Sequence, residues 1–300
     1  FNATIALCNY KKGSEKPVIL IPNPFYQCYL AAALAADAEP VFVPALPSNH
    51  FLPDFSNLSP KILNRTSILI ICSPSNPQGA VADLNYWKSL LNLAELYGFK
   101  IFSDECYSEI YRDVKPVGLL QASIALDHDP EKSLSFNSLS KRSNLPGLRS
   151  GFVCGGEKAI NSIKKLRSYG GAPLPIPIQE VSKMAWNDEK HVELNRDLYR
   201  KKYKIADRIF KSLESYKPPE AGFFLWLKVG NGEKITCPRD PAAVPKPKAN
   251  DLRSGLTARA IAAIAIEKAV KATPNPVNRP PNRYKPAILW DSAIPRIPNA

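Results

Sequence analysis

The chain has 300 residues, 45% of them hydrophobic, and a formal net charge of +13, so it can bury the core of one large domain or two modest ones. No run of 18 or more apolar residues is present, and the opening FNATIALCNYKKG has neither a basic n-region nor a small-residue cleavage site, which argues against a membrane span and a secretory leader. The positive charge raises nucleic acid as a partner, but residues 231–300 hold +7 of it with only Tyr284 and Trp290 as aromatics; without arginine-aromatic interleaving or a recognition motif, a small anionic ligand explains the charge better.

In chain order, apolar strand-like runs alternate with amphipathic helical stretches, the pattern of an α/β sheet. PVILIP (17–22) reads as a strand, YLAAALAADAE as a helix and PVFVPAL as a second strand. SILIICS (67–73) is a third. DLNYWKSLLNLAELYG then predicts a helix with Asp83 as its N-cap, apolar residues at Leu84, Trp87, Leu90, Leu91 and Ala94, and Gly98 as its stop. With FKIFS (99–103) following, 67–103 forms a strand-helix-strand unit, whose crossover is right-handed and whose strands are parallel. SLSFNS (133–138) and GFVCGG (151–156) read as further strands, and KAINSIKKLRSYGG, IQEVSKMAWND and a long charged stretch from Asp188 towards Tyr216 as helices. AGFFLWLKVG (221–230) closes the pattern as a strand. Beyond it the composition turns to Pro, Ala, Lys and Arg, and only 256–272 has helical character, which predicts a loosely ordered tail.

The six cysteines are scattered, with no C-x-x-C pair and no metal-type spacing with the three histidines. They read as reduced cytoplasmic thiols, and no metal site is expected. Ligands of parallel sheets collect beyond the carboxyl ends of the strands, where three polar clusters fall: SPSNPQG (73–79), DECYSE (104–109) and SLSK (138–141). A lysine at a strand end among small hydroxyl residues can serve as an amine nucleophile. A pyridoxal phosphate site needs such an amine, a carboxylate for the pyridine nitrogen, donors to the phenolate oxygen, and an arginine with hydroxyls for the phosphate. Lys141, Asp104, Tyr107 with Asn76, and Arg149 with serine hydroxyls are that set. Each has a plainer reading beside it. Asp104 could cap a helix, Tyr107 could be core, Asn76 a turn former, Arg149 an ion-pair partner, Tyr26 a packing residue, and Ser140 part of a turn.

Over residues 1–230 the sequence resembles the fold-type I, class I and II aminotransferases, most of all their succinyldiaminopimelate branch, on SLSKRSNLPGLRSGF (138–152) and NPFYQCY (23–29). The first segment is a near match to the family's lysine-site signature, departing at Ser150, where a small apolar residue is more usual. The resemblance implies a mainly parallel α/β large domain over 1–187, the start of a small domain over 188–230, and an atypical tail over 231–300. It implies Lys141 as the Schiff-base lysine, Asp104 as partner of the pyridinium, and Tyr107 and Asn76 as donors to the phenolate oxygen. Arg149 and Ser138 then bind phosphate and Tyr26 stacks on the ring. The reaction implied moves an amino group from glutamate to a keto acid, N-succinyl-2-amino-6-ketopimelate of lysine biosynthesis, in a cytoplasmic homodimer. Against the family's pattern, the chain begins just after the phosphate-binding glycine turn, Met184 is its only methionine, and RYKPAILWDSAIPR offers no clean match to the carboxylate-binding arginine, Arg283 being nearest. The expectation is a fragment with an altered C-terminal stretch, and an inactive remnant or another fold-type I reaction stands as the alternative.

Overall fold

A computed structural model describes residues 1–9, 15–213 and 216–227 of the chain; the predicted helix over 256–272, the tail and Arg283 lie outside them. Six strands, β1 (Val18–Asn23), β2 (Glu39–Pro44), β3 (Thr66–Cys72), β4 (Lys100–Asp104), β5 (Ser133–Ser138) and β6 (Gly151–Gly155), form one sheet in the order β2-β1-β3-β4-β5-β6. The first five are parallel and β6 runs antiparallel at the edge beyond β5. The strands expected from 17 to 156 are therefore all present. The helices are α1 (Asn2–Leu7), α2 (Gln27–Ala35), α3 (Pro60–Arg65), α4 (Leu84–Tyr97), α5 (Leu119–Ala125), α6 (Leu139–Arg142), α7 (Glu157–Arg167), α8 (Ile176–Asn187) and α9 (Lys190–Phe210). None of the described helices is long and apolar enough to cross a membrane.

Side chains alternate across each strand, so the central strands bury both faces. Val18, Leu20, Leu69, Ile71 and Ile101 pack on one side against Trp87, Leu90, Leu91 and Ala94 of α4 and Leu119 and Ala122 of α5. Ile19, Ile21, Ile68, Ile70, Phe102 and Leu134 pack on the other against α1, α2 and α7 through Ala3, Leu7, Tyr29, Ala33, Ala159 and Ile163. α4 keeps its predicted caps: the Tyr86 N–H donates to Asp83 Oδ1 at 2.7 Å, and Gly98 ends the helix at φ 69°, a left-handed conformation that favours glycine. α2 ends earlier than its apolar run suggests because the chain turns through Ala36 into Asp37 at φ 51°. α1, α3 and α5, of 6, 6 and 7 residues, are too short for helical periodicity to show in the sequence.

α9 is fastened to the loop after β4. Arg196 pairs with Glu109, Arg200 Nε donates to the Arg112 carbonyl at 2.8 Å, and the Arg112 guanidinium meets Asp207 at 2.5 Å. Both α9 arginines lie over the Tyr111 ring, at 4.5 and 5.4 Å. The strand expected over 221–230 is not formed in its described part: Ala221 makes one isolated antiparallel bridge to Tyr111, and Phe223–Leu227 have no strand partner. The aromatic run is used for packing instead, Phe223 lying 5.3 Å from Tyr107 and 5.9 Å from Tyr199. Gly79 holds this segment, its carbonyl accepting from the N–H groups of Glu220 and Ala221 at 3.1 Å each.

Gly79 has φ 75°, and a Cβ there would come within 2.6 Å of Pro219 Cβ and 2.7 Å of the Ala221 carbonyl oxygen. Gly79→Ala is expected to cost about 2 kcal/mol of unfolding free energy, read as a lower urea midpoint. The Arg112 hydrogen bond holds the Asp207 carboxyl below the ordinary aspartate value of 3.8, against the opposing effect of burial. Its contribution is thus complete above that value and is lost as pH falls through the lower folded one. Asp207→Asn should be less stable than wild type by about 1 kcal/mol at pH 7, the gap closing on acidification below the ordinary value.

Candidate active site

Register places the rim groups side by side. Cys72 of β3 is opposite Asp104 of β4, and Asp104 is opposite Phe136 of β5, so the loops after β3 and β4 leave the sheet abreast, while β5 runs on to Ser138 on the same side. β2 and β3 flank β1 on opposite sides, which opens a crevice at the carboxyl ends of β1 and β3.

The loop after β3 closes on itself through Ser75, whose N–H donates to the Ala80 carbonyl at 2.8 Å and whose Oγ accepts from Ala80 N–H at 2.9 Å. That turn presents Asn76, whose Nδ2 donates to Tyr107 Oη at 3.3 Å. Tyr107 is buried, and burial first, then the neighbouring Cys72 and Asp104, push its phenol up, so it stays a hydrogen-bond donor.

Asp104 is half-buried at the last residue of β4. One carboxylate oxygen accepts from Tyr29 Oη at 2.5 Å and the other from the Cys106 N–H at 3.2 Å. Its neighbour Glu105 turns to the opposite side, where it is buried and accepts from the Leu119 N–H at 2.9 Å at the start of α5. Burial pushes the Glu105 carboxyl up, opposed by the Leu119 N–H hydrogen bond.

Lys141 and Arg142 in α6 also diverge. Lys141 is half-buried, with Nζ 4.9 Å from the centre of the Phe223 ring. Arg142 is buried, donates to the Ala185 carbonyl at 3.0 Å, pairs with Glu189 and lies over Trp186. Ser138 caps α6, its Oγ accepting from the Ser140 N–H at 3.1 Å, and it also meets Ser140 Oγ at 2.9 Å and the Ser150 carbonyl at 3.2 Å. Ser150, the departure noted in the lysine segment, is buried, and its carbonyl also accepts from Leu139 N–H at 3.1 Å. Arg149 has φ 52° and sits just before β6, where Gly151 pairs with Ser138. Its guanidinium is exposed and donates to the Pro146 carbonyl at 2.8 Å.

Tyr26, 53% exposed, stands at the N-cap of α2 and meets Tyr29 edge to face at 5.8 Å. A cavity of about 170 Å³ lies here, with Tyr26, Cys28, Tyr29, Asp104, Cys106 and Phe136 in its walls. A cavity of roughly 150 Å³ accommodates benzene, so this one has room for a six-membered aromatic ring. Its walls are apolar apart from the carboxylate, the thiols, the phenols and Thr4, and the carboxylate suits a protonated pyridine ring. Burial pushes the Cys106 thiol far up and Asp104 adds to this, while Lys141 opposes it, which places the lysine charge within electrostatic reach of the same wall. Among the described residues no group of His, Cys, Asp and Glu could hold a metal ion.

Asn76 and Tyr107 are thus bonded to each other, Tyr107 and Lys141 both lie against Phe223, and Asp104 and Tyr26 share a cavity wall. Ser138 bonds the Ser150 carbonyl, next in sequence to Arg149, whose guanidinium turns to the Pro146 carbonyl. Three residues of the site escaped the sequence reading. Tyr29 follows Tyr26 at helical i, i+3 spacing, which would have placed the two rings together. Cys106 lies two residues after Asp104, and Phe223 is brought in by packing that no local pattern announces.

Residues 2–273 match the sequence profile of the family described as aminotransferase class I and II. LL-diaminopimelate aminotransferase of Aquifex aeolicus is 33% identical over 219 residues, 72% of this chain and 55% of that protein. Aspartate aminotransferase of Pyrococcus horikoshii is 31% identical over 225 residues, 73% of this chain and 55% of that protein. The crystal structure of an aminotransferase from Neisseria meningitidis aligns with a TM-score of 0.72 at 44% identity, covering 76% of this chain and 58% of that one. The chain spans about 55% of the length of the curated relatives it matches. Agreement in sequence and in fold over the same residues has one source, and the chain belongs to the class I and II aminotransferases, a fold-type I family whose cofactor is pyridoxal phosphate.

Proposed function

We propose that this chain holds pyridoxal phosphate on the crevice above β1 and β3 and transfers an amino group between glutamate and a keto acid. The observation that carries the reading is the Asn76 hydrogen bond to Tyr107 beside Asp104 and Lys141, four groups from three strand ends whose chemistry is pointless separately. Asp104 would pair with the pyridine nitrogen and keep it protonated. Tyr107 and Asn76 would donate to the phenolate oxygen, and Arg149 with the Ser138 hydroxyl would hold the phosphate. Tyr26 would cover one face of the ring and Cys106 border the other.

When bound, the cofactor supplies an aldehyde for amines and a ring that accepts the electron pair of a deprotonated α-carbon. Lys141 Nζ supplies the resident amine. The same nitrogen, when free, would take the proton from the substrate α-carbon and return it two atoms along, as general base and then general acid. Phe223, against Lys141, and buried Tyr107 limit water around that nitrogen.

The substrate proposal is narrower. Relatives named for LL-diaminopimelate favour a substrate of the diaminopimelate class, within which the resemblance of the lysine segment implies N-succinyl-2-amino-6-ketopimelate as the acceptor, while the aspartate aminotransferase relative makes oxaloacetate its competitor. We place the reaction in the cytoplasm and in a homodimer, with α9 and the segment after it opening a smaller second domain. The five described cysteines are all free, which suits a reducing compartment.

Purified protein with added pyridoxal phosphate is expected to show a visible absorbance band that borohydride fixes as a mass adduct on the Lys141 peptide. Lys141→Ala should show neither band nor adduct; a band that survives in the variant, or no band in the folded wild type, removes the reading. Asp104→Asn should retain the adduct while the half-reaction with glutamate slows by about 100-fold or more, the usual scale for losing one preorganised charge. For substrate choice, single-turnover amination of N-succinyl-2-amino-6-ketopimelate should outpace that of oxaloacetate, and the reverse order would favour an aspartate-type enzyme.

A further inference from the structure

Asp104 is gripped from both sides before any ligand arrives. Tyr29 Oη donates to Oδ2 at 2.5 Å and the Cys106 N–H to Oδ1 at 3.2 Å. The partners come from different parts of the chain: Cys106 follows just past the end of β4, whereas Tyr29 belongs to the first turn of α2, 75 residues away from Asp104. Between them lies the end of β3, where Cys72 Sγ contacts the Pro74 carbonyl at 3.2 Å. Tyr29 is 9% exposed and Asp104 lines the same cavity. Burial holds the Tyr29 phenol well above its ordinary range, so it remains an O–H donor throughout the working pH range.

We infer that Tyr29 is a positioning residue for Asp104, fixing the plane of its carboxylate so that its free lone pairs are presented to a cationic ring in the cavity. The inference rests on the proposed use of pyridoxal phosphate. An aspartate side chain has two rotatable bonds, and at a half-buried strand end one backbone contact alone would leave the carboxylate free to turn. The second contact, at the other oxygen, removes that freedom and does so through a residue whose ring also supports Tyr26 at 5.8 Å. One phenol therefore ties the wall of the ring site to the group meant for its nitrogen. A role in packing alone would need the ring of Tyr29 and not its hydroxyl, and Tyr29→Phe separates the two.

The test is a double-mutant cycle of Tyr29→Phe and Asp104→Asn, read by the Kd for pyridoxal phosphate from quenching of intrinsic fluorescence and by the urea midpoint of the cofactor-free protein. Tyr29→Phe is expected to fold, to weaken cofactor binding about tenfold, as for a hydrogen bond to a charged group, and to change the position or intensity of the visible band. In the Asp104→Asn background the same change should alter Kd by less than about twofold, because its effect passes through the carboxylate. Unchanged affinity and spectrum in Tyr29→Phe overturn the inference and leave the proposed function standing. Equal weakening in both backgrounds also overturns it, by assigning Tyr29 to packing. A wild type that forms no lysine-dependent band overturns the proposed function and this inference together, while coupling of the two residues in the urea midpoints would still show the hydrogen bond itself.

Discussion

Parallel pairing of β3, β4 and β5 sets Cys72, Asp104 and Phe136 abreast, and the position of every group at the crevice follows from that line. Parallel strands all end at the same side of the sheet, so three loops distant in sequence must converge there. A slip of one residue in β4 would turn Asp104 to the face where Glu105 now lies and hand the crevice a different side chain. The slip is resisted because Ile101 and Phe102 fill opposite cores, and exchanging them would force each into a space shaped for the other. Apolar burial on two faces thus fixes the direction of a carboxylate that itself buries little.

Chemically similar neighbours meet opposite fates for the same reason. Asp104 stays at the cavity while Glu105 anchors the start of α5. Lys141 keeps its amine beside Phe223, whereas Arg142 spends its guanidinium on Glu189, Trp186 and the end of α8. In each pair one charge is committed to holding the scaffold and the other is the one proposed to meet the cofactor. The committed member also defends the uncommitted one, since Arg142 pins the short α6 that carries Lys141.

The far wall of the crevice depends on contacts made at a distance. α9 grips the loop after β4 through Arg196, Arg200 and Asp207, that loop bridges to Ala221, and the segment so held carries Phe223 to Tyr107 and Lys141. Gly79, on the loop that also bears Asn76, closes the circuit by taking two N–H groups from the same segment. The site is therefore bordered by a closed chain of contacts rather than by one element, and disturbance at Gly79 or Asp207 should reach it.

Apolar runs, helix caps and turn residues are local signals, and they were sufficient for the six strands, for α4 with both of its caps, and for the placing of Asn76, Asp104 and Lys141 at strand ends. Local signals fail where the outcome is settled by distant partners. The run from Ala221 has the composition of a strand, yet its aromatic rings are absorbed by Tyr107 and Tyr199, so its described part adds no strand to the sheet. Short α1, α3 and α5 lack the length for periodicity to register. The sequence by itself determined the parallel α/β architecture and the kinds of group at its rim, because burial and turn geometry are written within a few residues of each position. Tertiary structure alone decided that Tyr29 grips Asp104, that Phe223 faces Lys141 and that Arg142 turns away, because each is a contact between elements that only the folded sheet brings together.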